Sequence, residues 1–128
     1  MTESAAEVLI VDDDEPTKLL LQAILRRQNV STAVASNGAE AIVLLRQRRF
    51  AAVILDLMMP MVAGQDVIAF VAAELPTLPV IVCTAAGPRQ TDGLDPHVVK
   101  AIIRKPFDIE EVLSAVAAVT AREPKQAS

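Results

Sequence analysis

Cysteine, tryptophan and tyrosine are almost or entirely missing from this chain of 128 residues. Cys83 is the only cysteine, so an internal disulfide is impossible. It ends an apolar run and is expected to be a small, buried core residue. Tryptophan and tyrosine are both absent, yet hydrophobic residues make up 52% of the chain, enough to bury a sizeable core. The length corresponds to one domain and leaves no room for a second.

The chain also lacks an excess of positive charge and any long hydrophobic run. Its formal net charge is −4, whereas a non-specific nucleic-acid binder needs a basic face, so no direct nucleic-acid partner is predicted. Arg46, Arg48 and Arg49 end a predicted helix, where cations suit the helix dipole. No apolar run approaches the roughly 20 residues that span a bilayer, and residues 1–4 do not resemble the start of a signal peptide. We therefore expect a cytoplasmic protein that does not engage the membrane.

Short apolar runs alternate with longer amphipathic stretches. The pattern predicts strands at 8–11, 31–35, 51–55, 80–83 and within 98–103, and helices at 15–28, from Asn37 to about Arg48, from about Gly64 to Leu75, and after Asp108. Two prolines and two glycines within 87–96 allow only a short helix there. Leu19 and Leu20 are expected on the apolar face of the first helix.

Strands that are apolar throughout and alternate with helices predict the fold class. We expect an α/β domain with a five-stranded, doubly wound parallel sheet in the order 2-1-3-4-5, a flavodoxin-like three-layer sandwich. The domain is assigned to residues 1–123, and residues 124–128 form a polar C-terminal tail. Ligands of such sheets bind beyond the carboxyl ends of the strands.

Polar residues stand at those carboxyl ends. Asp12 and Asp13 follow the first predicted strand, Asp56 the third, Thr84 the fourth and Lys105 the fifth. Carboxylates that are held close together repel unless a cation arrives, and a hard divalent ion such as Mg²⁺ prefers oxygen ligands. Asp56 then has the place of a carboxylate nucleophile. Phosphoryl transfer mainly needs positioning and charge neutralisation, which the metal and Lys105 can supply.

Four motifs carry a resemblance to a known family: VLIVDDDEP at 8–16, LDLMMP at 55–60 with Gly64 after it, CTA at 83–85, and KPF at 105–107. Together they resemble the signature of response-regulator receiver domains in bacterial two-component signalling. The resemblance implies a phosphorylation-controlled switch rather than an enzyme. Its phosphoryl group would come from a sensor histidine kinase or a phosphotransfer protein.

The resemblance also implies roles for single residues. Asp56 is expected to be the phosphoacceptor, and Mg²⁺ is expected to bind Asp12, Asp13, Asp56 and the backbone carbonyl of Met58. Thr84 is similar to the switch hydroxyl that follows the phosphoryl group. Lys105 is similar to the lysine that pairs with the acidic cluster, and its peptide bond to the following proline is expected to be cis.

Three features depart from the family pattern. Ile102 stands where the family usually has an aromatic residue, three positions before the lysine. The stretch from Asp56 to Thr84 is a residue or two shorter than usual, and turn residues at 87–96 replace most of a helix. We therefore expect phosphorylation to be read out mainly through ordering or displacement of the loop 85–97.

Three other classes of protein share parts of this pattern. A degenerate receiver that binds partners without phosphorylation is the main alternative, but all five site residues are present. A hydrolase of the haloacid dehalogenase class needs an aspartate two residues after the nucleophile, where this chain has Met58. A flavodoxin-like nucleotide binder needs a glycine-rich loop after the first strand, and this chain has aspartates there. The sequence does not name the cognate kinase, the downstream output, the oligomeric state or any further domain.

Overall fold

The computed structural model describes residues 7–59 and 64–120. Five strands alternate with five helices in the order β1 (Glu7–Val11), α1 (Glu15–Arg26), β2 (Ser31–Ala35), α2 (Gly38–Gln47), β3 (Ala52–Leu55), α3 (Gly64–Glu74), β4 (Val80–Thr84), α4 (Pro88–Thr91), β5 (Val99–Arg104) and α5 (Ile109–Thr120). The strands form one parallel sheet in the order β2-β1-β3-β4-β5. The predicted fold class and strand order are confirmed. The predicted tail, 124–128, lies outside the described residues.

Both faces of the sheet are buried, which explains why its central strands are apolar throughout. Leu9 and Val11 of β1 join a core cluster that also takes residues of α2 and α3. Val8 and Ile10 point the other way, into a cluster shared with α1 and α5. The sheet is therefore the middle layer of three, as predicted. Cys83 belongs to the second cluster, and burial raises the pKa of its thiol to about 12, so it stays protonated.

Side-chain caps fix where α1 and α2 begin. The Asp14 carboxylate accepts a hydrogen bond of 3.0 Å from the Thr17 amide, and the Asn37 side chain accepts one of 2.9 Å from the Glu40 amide. Glu40 reaches back to the amide of Ser36, one residue before the cap, at 2.7 Å. Both helix starts follow from the local capping residues that the sequence displays.

The first helix ends two residues earlier than predicted and buries a different face. Asn29 adopts a left-handed conformation, with φ 61°, and the Val30 amide donates to the Leu25 carbonyl, as in a Schellman motif. The prediction that Leu19 and Leu20 lie on the buried face is wrong, because they are 64% and 46% exposed. Ile24 and Leu25 of the same predicted face are buried, so amphipathic periodicity misplaced mainly the N-terminal part of this face.

The segment between β4 and β5 contains only one turn of helix. Gly87 precedes α4, which covers four residues, and Gly93 has φ +85° in the loop that follows. The prediction of a short helix is therefore confirmed. Because so little chain covers this side of β5, Ile102 remains 42% exposed. The strand itself ends at Arg104, one residue beyond the predicted bound.

Candidate functional site

The sheet delivers two aspartates to the same edge. Asp12 follows β1 and Asp56 follows β3, and each backbone amide still bonds to a neighbouring strand. The Asp12 amide donates to the Ala35 carbonyl at 3.1 Å, and the Asp56 amide donates to the Val11 carbonyl at 3.0 Å. Because the backbone of both residues is fixed by the sheet, their buried side chains are held in place at the strand ends.

Asp12, Asp13 and Asp56 form one acidic cluster. Each offers a carboxylate oxygen, and these oxygens all lie within 4.8 Å of one another. Asp12 and Asp56 are buried, whereas Asp13 is exposed. Two fixed carboxylates and one that faces solvent suit a hard divalent cation, which prefers oxygen ligands. An ion such as Mg²⁺ also keeps several waters. The residues present therefore fit a divalent metal.

Met58 contacts the cluster through its backbone. Its amide donates a hydrogen bond of 3.0 Å to Asp56 Oδ1, while its side chain is 54% exposed. The amide contact fixes the loop after β3 against the carboxylate. The Met58 carbonyl remains a predicted metal ligand.

Lys105 lies between the two buried carboxylates. Its Nζ donates to Asp12 Oδ2 at 2.7 Å and to Asp56 Oδ2 at 3.2 Å. Its backbone amide donates to the Thr84 carbonyl at 3.0 Å, which continues the pairing of β5 with β4 beyond the last strand residue. The peptide bond between Lys105 and Pro106 is cis, as the family resemblance implied. One ammonium group thus serves two carboxylates.

Burial and charge act in opposite directions on the pKa of Lys105 and on that of Asp12. Burial tends to lower the pKa of Lys105, but the hydrogen bond and the charge of Asp12, together with Asp56, raise it overall. Burial raises the pKa of Asp12, even though Lys105 and the Asp14 amide act to lower it. The two shifts are compatible, because the lysine gains from two anions while Asp12, buried, shares Lys105 with Asp56. A second cation at the cluster would therefore stabilise the ionised carboxylates.

Thr84 completes the contacts of Asp56. Its hydroxyl is fully buried and donates a hydrogen bond of 2.7 Å to Asp56 Oδ1. The same Oγ1 accepts a hydrogen bond of 3.1 Å from the Ala86 amide. The structure thus brings all five predicted side chains together around Asp56.

Other residues near this edge were not predicted from the sequence. Lys18 of α1 is only 3% exposed, and its ammonium group donates to Glu15 at 2.7 Å and to the Ser36 hydroxyl. Arg104 bonds to the loop that follows β4. The spacing of Glu15 and Lys18 on one helix permits their ion pair but does not predict that Lys18 is buried, and the acceptors of Arg104 depend on the path of an irregular segment.

The glycine of the motif beginning at Leu55 has a steric role. A Cβ on Gly64 would lie 2.7 Å from the Leu57 Cα and 2.8 Å from the Asp56 carbonyl oxygen. The start of α3 therefore packs directly against the backbone that carries Asp56. Only a residue without a side chain allows this approach.

Comparison with known proteins assigns the chain to a family. The model of the response regulator receiver domain matches residues 8–117. The chain belongs to this family. The transcriptional regulatory protein SrrA of Staphylococcus aureus is 35% identical over 122 residues, which cover 91% of this receiver chain and 48% of SrrA. The chain thus spans about half the length of the curated relatives it matches.

Solved structures share the receiver fold. TrrA from Thermotoga maritima, solved in complex with Mg(2+)-BeF, aligns with a TM-score of 0.82 at 24% identity and covers 89% of this chain and 98% of its own. The receiver domain of Francisella response regulator 1452 aligns with a TM-score of 0.82 at 25% identity over 93% of this chain and 99% of its own. Receiver domains are signalling switches rather than conventional enzymes. Among the described residues, no helix is long and apolar enough to cross a membrane.

Proposed function

We propose that Asp56 of this receiver accepts a phosphoryl group in a Mg²⁺-dependent reaction. The observation that carries the proposal is the environment of its carboxylate. Oδ1 accepts hydrogen bonds from the Thr84 hydroxyl and the Met58 amide, and Oδ2 accepts one from Lys105. The solved complex of TrrA with Mg(2+)-BeF supports the choice of metal by likeness of fold.

The proposed transfer follows from these contacts. A carboxylate oxygen of Asp56 forms a bond to phosphorus, the bond between phosphorus and the donor atom breaks, and its electron pair leaves with the donor. Lys105 offsets negative charge on the phosphoryl oxygens, and the Thr84 hydroxyl can donate to one of them. Mg²⁺, when bound by Asp12, Asp13, Asp56 and the Met58 carbonyl, supplies further charge neutralisation. The chain itself catalyses both the transfer that forms the acyl phosphate on Asp56 and the later hydrolysis of that acyl phosphate.

The proposal extends to the partners and the place of the reaction. Receiver domains interact with histidine kinases or phosphotransfer proteins, so the donor is proposed to be one of these. We assign the receiver to residues 1–123, with a short polar tail to residue 128, and place the protein in the cytoplasm. Family membership supports both statements. The family resemblance does not name a downstream effector.

Labelling with a small phosphodonor tests the proposal. Incubation with acetyl phosphate and Mg²⁺ should add one acid-labile phosphoryl group per chain, and Asp56→Asn should abolish the label because the amide is not a nucleophile of this kind. Asp92→Asn is the matched control, since Asp92 is exposed in the loop after α4 and should leave labelling unchanged. An unlabelled wild-type chain would support the alternative of a degenerate receiver, and a fully labelled Asp56→Asn variant would contradict the acceptor assignment.

Hydrolysis of the acyl phosphate in this chain should be slow compared with that in other receiver domains. By resemblance, the side chains two residues beyond Asp56 and two beyond Thr84 help to orient the attacking water. Here they are Met58 and Ala86, which cannot orient water by hydrogen bonding. Met58→Asn should therefore speed the loss of label several-fold, and Met58→Leu, the control, should not. Equal rates for Met58→Asn and wild type would refute this account.

A further inference from the structure

Ala86 links the site to the segment that follows β4. Its amide donates to Thr84 Oγ1 at 3.1 Å, on the same hydroxyl that donates to Asp56. Its carbonyl oxygen accepts a hydrogen bond from Nη1 of Arg104. Ala86 is 5% exposed, so both of its backbone contacts are sheltered from water. The position of the Thr84 hydroxyl and the position of this guanidinium group are therefore connected through one peptide segment.

The same guanidinium group also holds the far end of α4. Nη2 of Arg104 donates to Thr91 Oγ1 at 2.9 Å, and the Thr91 hydroxyl lies 3.4 Å from the Gly87 carbonyl. Thr91 is 4% exposed, although it belongs to a helix of only four residues. Arg104 thus bonds to both ends of the segment 86–91 from the last position of β5. Bidentate contacts of this kind fix orientation as well as distance.

Apolar packing between this segment and the outer part of β5 leaves Ile102 uncovered. With α4 reduced to one turn, Ile102 on the same side of β5 is 42% exposed. Lys100, two residues earlier, makes only a long contact of 3.5 Å with the Pro96 carbonyl. Beside the packing of Ala86 in the core cluster that includes Val99, Arg104 supplies two hydrogen bonds from β5 to the segment 86–91.

We propose that Arg104 couples the phosphoacceptor site to the β5 face and holds the segment 86–91 in its unphosphorylated position. This inference rests on the proposed function of Asp56. When Thr84 follows a phosphoryl oxygen, its hydroxyl must leave its present place between Asp56 and the Ala86 amide. The segment then has to shift, and the contacts of Arg104 oppose the shift.

Thermodynamic linkage fixes the sign of the effect. A contact made only in the unphosphorylated arrangement lowers the affinity for any ligand that favours the other arrangement, and its removal raises that affinity. A purely electrostatic role gives the opposite sign, because loss of a cation near the site weakens binding of an anion. A substitution that only lowers the stability of the fold should not make the chain bind such a ligand more tightly. The direction of the change therefore separates coupling from the two simpler roles.

The test uses the full chain with beryllium fluoride and Mg²⁺ as the probe, and titration followed by NMR. Arg104→Met, which keeps the length but makes no hydrogen bonds, should bind the probe about fivefold more tightly, at the low end of usual coupling. Arg104→Lys keeps the charge and should fall between Arg104→Met and wild type. If Arg104→Met does not fold, the affinity of Arg104→Lys for the probe serves as the test. Arg89→Met is the matched control, because Arg89 is exposed on α4, and its affinity should equal that of wild type.

Amide exchange gives a second measurement. Without the probe, Arg104→Met should exchange faster than wild type within residues 85–97, and the probe should change exchange there less than it does in wild type. Affinity in Arg104→Met and Arg104→Lys that equals or falls below that of wild type would overturn the coupling while leaving the proposed function intact. If wild type itself does not bind the probe, the proposed function fails, and the inference fails with it.

Discussion

The turns after β3 and after β4 leave the sheet at the same edge, yet they are held in different ways. After β3, the start of α3 lies so close to Asp56 and Leu57 that Gly64 has no room for a side chain. After β4, a Cβ on Gly87 would meet only the side-chain oxygen of Gln90, at 4.0 Å. Both turns have a hydrogen bond from an amide two residues beyond the residue at the strand end, but only the turn after β3 also has a glycine packed closely against its backbone.

This difference matches the two tasks that a phosphorylated switch must perform. The acceptor carboxylate needs a fixed position, and close packing provides one because a packed backbone resists displacement. The responding segment needs two arrangements of similar free energy, and hydrogen bonds from Thr84 and Arg104 can be exchanged for others at modest cost. The receiver thus combines a rigid side at β3 with an adjustable side at β4 and β5.

Replacing each of the two glycines with alanine should give the largest difference between the turns after β3 and after β4. Gly64→Ala should lower the free energy of unfolding by about 3 kcal/mol, because the new methyl group overlaps backbone that cannot move freely. Gly87→Ala should change it by less than about 0.5 kcal/mol, since its φ is −83° and the space is open. Urea unfolding measures both. Similar losses in the two variants would show that the turns do not differ in packing.

Much of this architecture was predictable because it depends on local signals and on general rules for parallel sheets. Asp14 and Asn37, residue types that favour the N-cap position, cap α1 and α2. The strand order and the meeting of Asp12, Asp56 and Lys105 follow from placing polar residues at the ends of buried parallel strands. These inferences need no knowledge of how individual side chains pack.

Prediction from the sequence failed for residues whose burial or contacts depend on packing between distant parts of the chain. Lys18 is buried and Leu20 exposed, the reverse of what side-chain hydropathy favours, because the ammonium group finds partners on Glu15 and Ser36. Arg104 was unremarkable in the sequence, since its two acceptors depend on the path of an irregular segment. The steric role of Gly64 likewise appears only when α3 is placed against β3.

A smaller effect than that of Gly64→Ala is expected from substitutions among the three consecutive aspartates, 12–14. Asp13→Ala should weaken Mg²⁺ binding by about tenfold, because it removes one of the three clustered carboxylates from a site that needs few protein ligands. Labelling should slow with it. Calorimetry or NMR is the suitable measurement, because the chain has no tryptophan to report binding.

Asp14→Ala is the control for that measurement. The Asp14 carboxylate is exposed and caps α1, and hydrogen bonds from Thr17 lower its pKa. Its loss should lower the free energy of unfolding, as the loss of other helix caps does, with little change in Mg²⁺ affinity. If both variants bind Mg²⁺ as tightly as wild type, the aspartates serve only as turn and cap residues.

Among the three tests, substitution of Asp12 is expected to give the smallest change in free energy. Its dependence on pH and on Mg²⁺ makes it the most specific test. Burial raises its pKa, so the unfolded chain releases this proton at a lower pH than the folded chain does. The contribution of the group to stability is therefore full below its unfolded pKa, near 3.8, and is lost as the pH rises through the folded value. At neutral pH and without metal, ionised Asp12 makes the receiver less stable than a neutral side chain of the same shape would.

Asp12→Asn should therefore raise the free energy of unfolding by about 1 kcal/mol at pH 7 in the presence of a chelator. The single amide oxygen can accept from Lys105 in place of Oδ2, which gives up the bond from the Asp14 amide and offsets part of the gain, and Lys105 keeps Asp56 as its counter-ion. The gain should shrink as the pH falls through the folded pKa of Asp12, because wild type then also becomes neutral at this position. Saturating Mg²⁺ should narrow or reverse the difference at pH 7, because only wild type keeps the full set of ligands and binding stabilises the folded state. A gain that persisted unchanged in acid and in Mg²⁺ would mean that charge at Asp12 is not what limits stability at this edge.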